Sequence, residues 1–307
     1  MQLGEDTIIL AKKSTLAETI GLLVQQLRPG QWTKNLLVFG ALAFSIDEWR
    51  LGDLQQCAAA FLLFCLVSGC VYIMNDYVDR EADRQHPDKA HRPMASGRLH
   101  PGIAIAFGIV LLGGSLGAGF ALQGSFGLLL IGYFLVNLSY SLKLKHVVIV
   151  DLLLIASGFV IRAVAGGVVI GVRFTPWFLM CVFLLSLFLA IGKRRHELLL
   201  LERGGGAHRK VLDNYSEPLL NQLSAIVTTL TIMSYSLYTF LSETSVYLMW
   251  TIPCVIYGMF RYLYLVHVLG KGGKPEALLY GDKGILACVL VFGAAVVAIM
   301  QLSAGSL

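Results

Sequence analysis

Residues 75 to 83 read Asn-Asp-Tyr-Val-Asp-Arg-Glu-Ala-Asp and follow directly on an apolar run that ends at Met74. On a helix, Asn75, Asp79 and Asp83 fall at i, i+4 and i+8 and share a face. Asp76 lies about 100° further round but meets Asp79 and Asp83 at i+3 and i+7. Carboxylates crowded on one face repel one another unless a cation compensates. Hard oxygen ligands of this kind, few in number, suit a Mg²⁺ ion that also holds a substrate's phosphates. A solvated acidic loop paired with Arg80 and Arg84 is the plainer alternative. The position at the end of an apolar run, beside a basic segment, favours the metal. Asn75, Asp79 and Asp83 are therefore expected as metal ligands, and Asp76, Asp79 and Asp83 as the catalytic carboxylates.

Basic and polar groups recur at the ends of other apolar runs. The segment from His86 to Arg98 holds two prolines and a glycine, which force an irregular loop, and brings Lys89, Arg92 and Arg98 beside the acidic group. Cations next to carboxylates and a metal are what a diphosphate needs. Lys34 and Asn35 open an apolar stretch after Arg28-Pro29-Gly30. Tyr140 and Lys145 close another, shortly before Asp151. Lys193, Arg194 and Glu197 close a third, and a basic cluster there makes a candidate phosphate clamp. Arg162 lies deep inside an apolar run, where a charge is costly and signals function by default. Asp151 is three helical turns from it, too far for a pair within one helix.

The elements that must position these groups are membrane helices. Of 307 residues, 56% are hydrophobic and 14% charged, against roughly 25% charged in a soluble domain. The mean hydropathy is +0.72. These values exclude a soluble enzyme, a disordered chain and a disulfide scaffold, and the long apolar runs exclude an outer-membrane barrel. Apolar runs at 33–46, 54–78, 101–121, 124–141, 147–171, 175–192, 218–241, 246–268 and 284–303 predict an all-α integral membrane protein of about nine spans. Residues 1–30 read as an N-terminal interfacial segment and 31–303 as one transmembrane bundle, within a single domain of 1–307. Twenty of the 24 Lys and Arg residues fall on one side of that topology. The bias places the N-terminus, the long charged loops and any active site on the cytoplasmic face of the cell (inner) membrane. The six cysteines all lie in apolar runs and read as packing residues. The implied environment is the lipid bilayer, with no nucleic-acid partner. Exposed spans leave room for a helix-packed homo-oligomer.

The Asn-Asp-x-x-Asp-x-x-x-Asp pattern at the end of the second of nine spans resembles the UbiA family of membrane prenyltransferases over nearly the whole chain. Arg28-Pro-x-Gln-Trp-x-Lys-Asn35, His86-Pro-x-Lys89, Arg92-Pro93, Leu144-Lys145, Ile161-Arg162-Ala163-x-Ala165-Gly166-Gly167 and Gly192-Lys193-Arg194 resemble in particular its phosphoribosyltransferase branch. That branch couples phosphoribosyl diphosphate to a decaprenyl-like polyprenyl phosphate. The resemblance implies a UbiA-type bundle with a cytoplasm-facing cavity, Mg²⁺ as cofactor, and transfer of phosphoribose with release of diphosphate. It implies that Lys89, Lys145 and Tyr72 position the phosphoribosyl part, and that Lys34, Arg162 and Lys193 bind phosphates. Asn35, Arg92, Tyr140, Arg194 and Glu197 complete the expected substrate-binding set. The wider family carries a second aspartate-rich motif after span six, where this chain has Lys193-Arg194-Arg195-His196-Glu197. One acidic cluster facing a basic one suits two phosphorylated substrates. A prenyltransferase acting on an aromatic acceptor such as 4-hydroxybenzoate is the alternative, and a membrane transporter a third reading.

Overall fold

A computed structural model describes residues 15–43, 50–85, 89–202, 210–241, 246–273 and 275–304. His86, Pro87, Asp88, Arg203, Arg209, Lys274 and the tail from 305 lie outside the described residues. Every regular element among the described residues is helical. The α-helices are α1 (Leu16–Gln26), α2 (Gly40–Ala43), α3 (Leu51–Val78), α4 (Arg80–Gln85), α5 (Pro101–Leu122), α6 (Gly124–Leu142), α7 (Val150–Ile170), α8 (Pro176–Glu202), α9 (Glu217–Phe240), α10 (Ile252–His267), α11 (Pro275–Gly281) and α12 (Lys283–Ala304). Eight helical segments among them are long and apolar enough to cross a membrane.

The first expected span differs from the other eight. Pro29–Phe39 forms a 3₁₀ helix of 11 residues that passes into the short α2. It nevertheless runs antiparallel to α3 from Asp76 to Phe61. Arg28 pairs with Asp76 near the end of α3, Asn35 reaches Ser68, and Phe39 lies against Phe61, 5.6 Å between ring centroids. A 3₁₀ helix rises about 2 Å per residue, so few residues cover much of the apolar depth. The stretch is thus 3₁₀ where a membrane α-helix was expected, and residues 44–46 of the expected span lie outside the described residues.

The close fit of this segment depends on Gly166 of α7. A Cβ there would stand 1.9 Å from the Val38 carbonyl oxygen. The Val38 side chain is fully buried among Phe64, Phe126 and Tyr133, which pack edge to face. On the outer side, α1 turns Leu16, Ile20 and Val24 outward and Leu22 and Gln26 inward. This is the split expected of a helix lying at a membrane surface.

The polar ends gather at one end of the bundle. Asp79 at the end of α3 pairs with Lys145 after α6, Asp151 at the start of α7 with Arg194 near the end of α8, and Arg195 with Glu217 at the start of α9. At 28 residues, α3 is about 42 Å long, longer than the roughly 30 Å hydrocarbon layer. Its last turns can therefore carry carboxylates beyond the lipid.

Replacing Gly166 with Ala should push the 3₁₀ segment off α7 and cost about 1–3 kcal/mol of overpacking. Thermal unfolding in detergent should show a fall of several degrees. Gly113→Ala on α5, where nothing lies within 4 Å, should leave the melting temperature unchanged.

Candidate active site

The helical register runs through the acidic motif: the Asp79 N–H donates to Asn75 O at 2.9 Å and the Asp83 N–H to Asp79 O at 2.8 Å. Asn75, Asp79 and Asp83 thus advance along one side. The side chains nevertheless divide into two groups. Asp76 and Asp83 are seven residues apart, about 20° on a helical wheel, and one guanidinium nitrogen of Arg92 bridges them at 2.9 and 2.5 Å. Asp76 is 2% exposed and also accepts from Gln26 Nε2 at 2.5 Å and from Arg28. Lys89 stands 3.8 Å from Asp83. Asp79 is the open member, with a side chain 31% exposed and held by Lys145 Nζ at 2.6 Å. The Asn75 side chain is half-buried on the same side.

Three carboxylates therefore meet four cations, Arg28, Lys89, Arg92 and Lys145. Among the described residues, no three His, Cys, Asp or Glu side chains converge closely enough to hold an ion unaided. Of the expected ligands Asn75, Asp79 and Asp83, the half-open Asn75 and Asp79 fit a hard cation that completes its shell with substrate oxygens, whereas Asp83 is buried against Arg92. The excess of positive side chains fits an anionic substrate beside it.

Arg28 completes the Asp76 cage. Its backbone is left-handed, φ 52° and ψ 64°, immediately before Pro29. Its guanidinium lies over the Tyr72 ring, 4.8 Å from the centroid. Tyr72, expected to position substrate, thus also braces Arg28. The only signal in sequence was the Arg-Pro-Gly turn.

Arg162 is buried, as its apolar setting requires, yet all its partners are neutral. Nε donates to Asn35 Oδ1 at 2.7 Å, Nη1 to Gly158 O at 2.9 Å and Nη2 to Tyr133 Oη at 2.7 Å. Asn35 in turn donates to Ser68 Oγ and Cys65 Sγ, both at 3.3 Å. Ser68 is about 10 Å along α3 from Asn75. Arg162 and Asn35 therefore lock the 3₁₀ segment to α3 and α7 below the acidic motif. Lys34, the neighbouring residue on that segment, is half-buried.

The expected phosphate clamp after α8 is not built as one. Arg194 is 1% exposed and donates to Asp151 Oδ2 and Glu197 Oε2, both at 2.7 Å, and to Tyr140 Oη at 3.4 Å. Arg195 is tied to Glu217 at 2.5 Å and Asn221 at 2.7 Å. Of the three consecutive basic residues only Lys193 is exposed. Arg194 and Arg195 are buried with fixed carboxylate partners, so Tyr140, Arg194 and Glu197 act in an internal network that ties α6, α7 and α8. Tyr215 completes it by donating to Asp151 Oδ1 at 2.7 Å. A groove of 490 Å³ lined by Pro253, Tyr257, Phe260 and Arg261 of α10 shares no residue with the acidic motif.

The model of the UbiA prenyltransferase family matches residues 36–280. A decaprenyl-phosphate phosphoribosyltransferase of Corynebacterium glutamicum is 38% identical over 282 residues, which span 88% of this chain and 84% of that protein. One of Mycobacterium tuberculosis is 32% identical over 91% of this chain and 96% of that protein. Among solved structures, a UbiA homologue from Archaeoglobus fulgidus bound to DMAPP and Mg²⁺ superimposes with a TM-score of 0.70 at 19% identity, covering 91% of this chain and 99% of that one.

The two kinds of aspartate should respond differently to neutral substitution. Asp79→Asn should abolish turnover and leave the melting temperature within a degree or two. Asp76→Asn leaves two arginines facing an uncharged group. It should cost on the order of 2–3 kcal/mol, below the value for a fully enclosed pair because both arginines are partly exposed. Full activity in Asp79→Asn would remove that residue from the site.

Proposed function

Because this chain belongs to the UbiA prenyltransferase family, we propose that it transfers 5-phosphoribose from phosphoribosyl diphosphate to a polyprenyl phosphate of decaprenyl type. The observation that carries the reading is the charge pattern at the end of α3. There Asp79 is open, paired with Lys145, and set among more cations than carboxylates. Extensive identity to proteins named for this transfer supports the choice of substrates.

Asn75 and Asp79 would supply protein oxygens to a Mg²⁺ ion, with Asp83, held by Arg92 and Lys89, shaping the site beside them. When bound, that ion neutralises the charge that builds on the departing diphosphate. Lys145 and Lys89 hold the phosphoribosyl diphosphate by its phosphates, and Tyr72 flanks it. Asp76 keeps Arg28 and Arg92 in place. Lys34 and Lys193 offer positive charge to one or the other phosphorylated substrate, and Arg162 adds a buried positive field from below. A phosphate oxygen of the lipid attacks the anomeric carbon. The new C–O bond forms as the bond to diphosphate breaks, and the diphosphate leaves with the electron pair. A prenyl phosphate is already an anion, so no general base is needed. Rate acceleration comes from positioning and charge stabilisation. The lipid tail leaves the site between helices into the bilayer. The polar end of the bundle faces the cytoplasm of the inner membrane, as the Lys and Arg bias requires.

Purified protein with Mg²⁺ should move label from phosphoribosyl diphosphate into the lipid phase when a polyprenyl phosphate is present. Chelation of the metal should stop the transfer. A parallel reaction with prenyl diphosphate and 4-hydroxybenzoate should give no product. Product in the second reaction alone would replace this reading with aromatic prenylation.

A further inference from the structure

Two non-glycine residues among the described ones have a left-handed backbone, and both touch the acidic site's supports. Arg28 is one. The other is Ile149, φ 68° and ψ −45°, a β-branched residue for which this region is a marked outlier. The Val150 N–H donates to Val148 O at 2.8 Å across it. This is the positive-φ form of the γ-turn, which is rare and strained. Such strain persists only where surrounding structure enforces it.

Backbone bonds from Asp151 N–H to Val147 O at 3.1 Å and from Leu152 and Leu153 N–H to Ile149 O at 3.0 Å hold the start of α7, and a side-chain hydroxyl holds the Ile149 amide itself. The Ile149 N–H donates to Tyr215 Oη at 2.8 Å, and the same hydroxyl donates to Asp151 Oδ1 at 2.7 Å. The other Asp151 oxygen takes Arg194 Nε at 2.7 Å, and Arg194 is held in turn by Glu197. Asp151, Arg194 and Tyr215 are all buried. Burial and the bond to Asp151 both raise the Tyr215 pKa, so the hydroxyl keeps its proton. Four residues before Ile149, in the same α6–α7 turn, stands Lys145, buried and paired with Asp79 at 2.6 Å.

We propose that Tyr215 is a positioning residue that clamps the strained turn at Ile149 and so sets Lys145 against Asp79 and the diphosphate. This deepens the proposed function and rests on its placement of Lys145 at the substrate. Tyr215→Phe removes one oxygen. It frees the Ile149 amide, lets the turn relax and loosens Lys145. Glycine adopts a positive φ at little cost. Ile149→Gly should therefore hold the turn even where the hydroxyl is missing.

The test uses the full chain in detergent, with hydrogen exchange of the peptide over residues 144–151 and calorimetric binding of inorganic diphosphate with Mg²⁺. Tyr215→Phe should speed exchange there and weaken binding by about tenfold each. Adding Ile149→Gly should bring both back to within about threefold of the wild type. Ile149→Gly alone should keep or raise the melting temperature, whereas a fall of several degrees would overturn the strain argument. Unchanged exchange and binding in Tyr215→Phe, or losses that Ile149→Gly leaves intact, would overturn the clamp. Absence of diphosphate binding in the wild type would count against the proposed function, and exchange alone would then decide the clamp.

Discussion

Three aspartates within eight residues at the end of a membrane helix must be compensated, and the rest of the polar structure is arranged around that need. Asp76 and Asp83 are compensated internally by Arg28, Arg92 and Lys89. That arrangement in turn fixes α1 and the loop around Arg92 against α3. Asp79 is paired with Lys145 and is partly open. The division separates an acidic group that builds the site from one that can exchange its partner for a metal and a substrate. The same constraint explains why the 3₁₀ segment crosses the bundle where it does. It leaves α1 at Arg28, under Asp76, and must bring Asn35 to Arg162 within seven residues. Gly166 admits its backbone at a distance that no side chain would allow.

A second polar layer lies behind the first. Asp151, Arg194, Glu197, Tyr140 and Tyr215 form a buried network with no member among the carboxylates of the acidic motif. Buried pairs of this kind contribute little net stability against a hydrophobic alternative. What they supply is a unique placement of α6, α7 and α8 ends. The α6–α7 turn is set between this layer and Asp79, so it transmits the order of one to the other.

Much of the site could be read from spacing. The i, i+4, i+8 pattern located Asn75, Asp79 and Asp83, and the basic residues at the run ends fell at the same end of the bundle. The eight regular spans were legible from length and hydropathy. The i+7 step from Asp76 to Asp83 was legible too, but their joining by Arg92 apart from Asp79 was not, because Arg92 lies nine residues beyond Asp83 in an irregular loop. The roles of Arg194 and Arg195 were hidden for a different reason. A cluster at a helix end looks the same whether it faces substrate or internal carboxylates, and the partners Asp151 and Glu217 lie 43 and 22 residues away. The first span concealed its 3₁₀ form because an apolar run reads the same whichever helix it forms.

The most direct test of this account is an experimental structure with Mg²⁺ and phosphoribosyl diphosphate bound. The account predicts metal on Asn75 and Asp79, the Lys145 ammonium turned from Asp79 to a diphosphate oxygen, and Asp76 still held by Arg28 and Arg92. Diphosphate seated at Lys193 away from Asp79, or Asp76 withdrawn from its arginines to bind the metal, would contradict it.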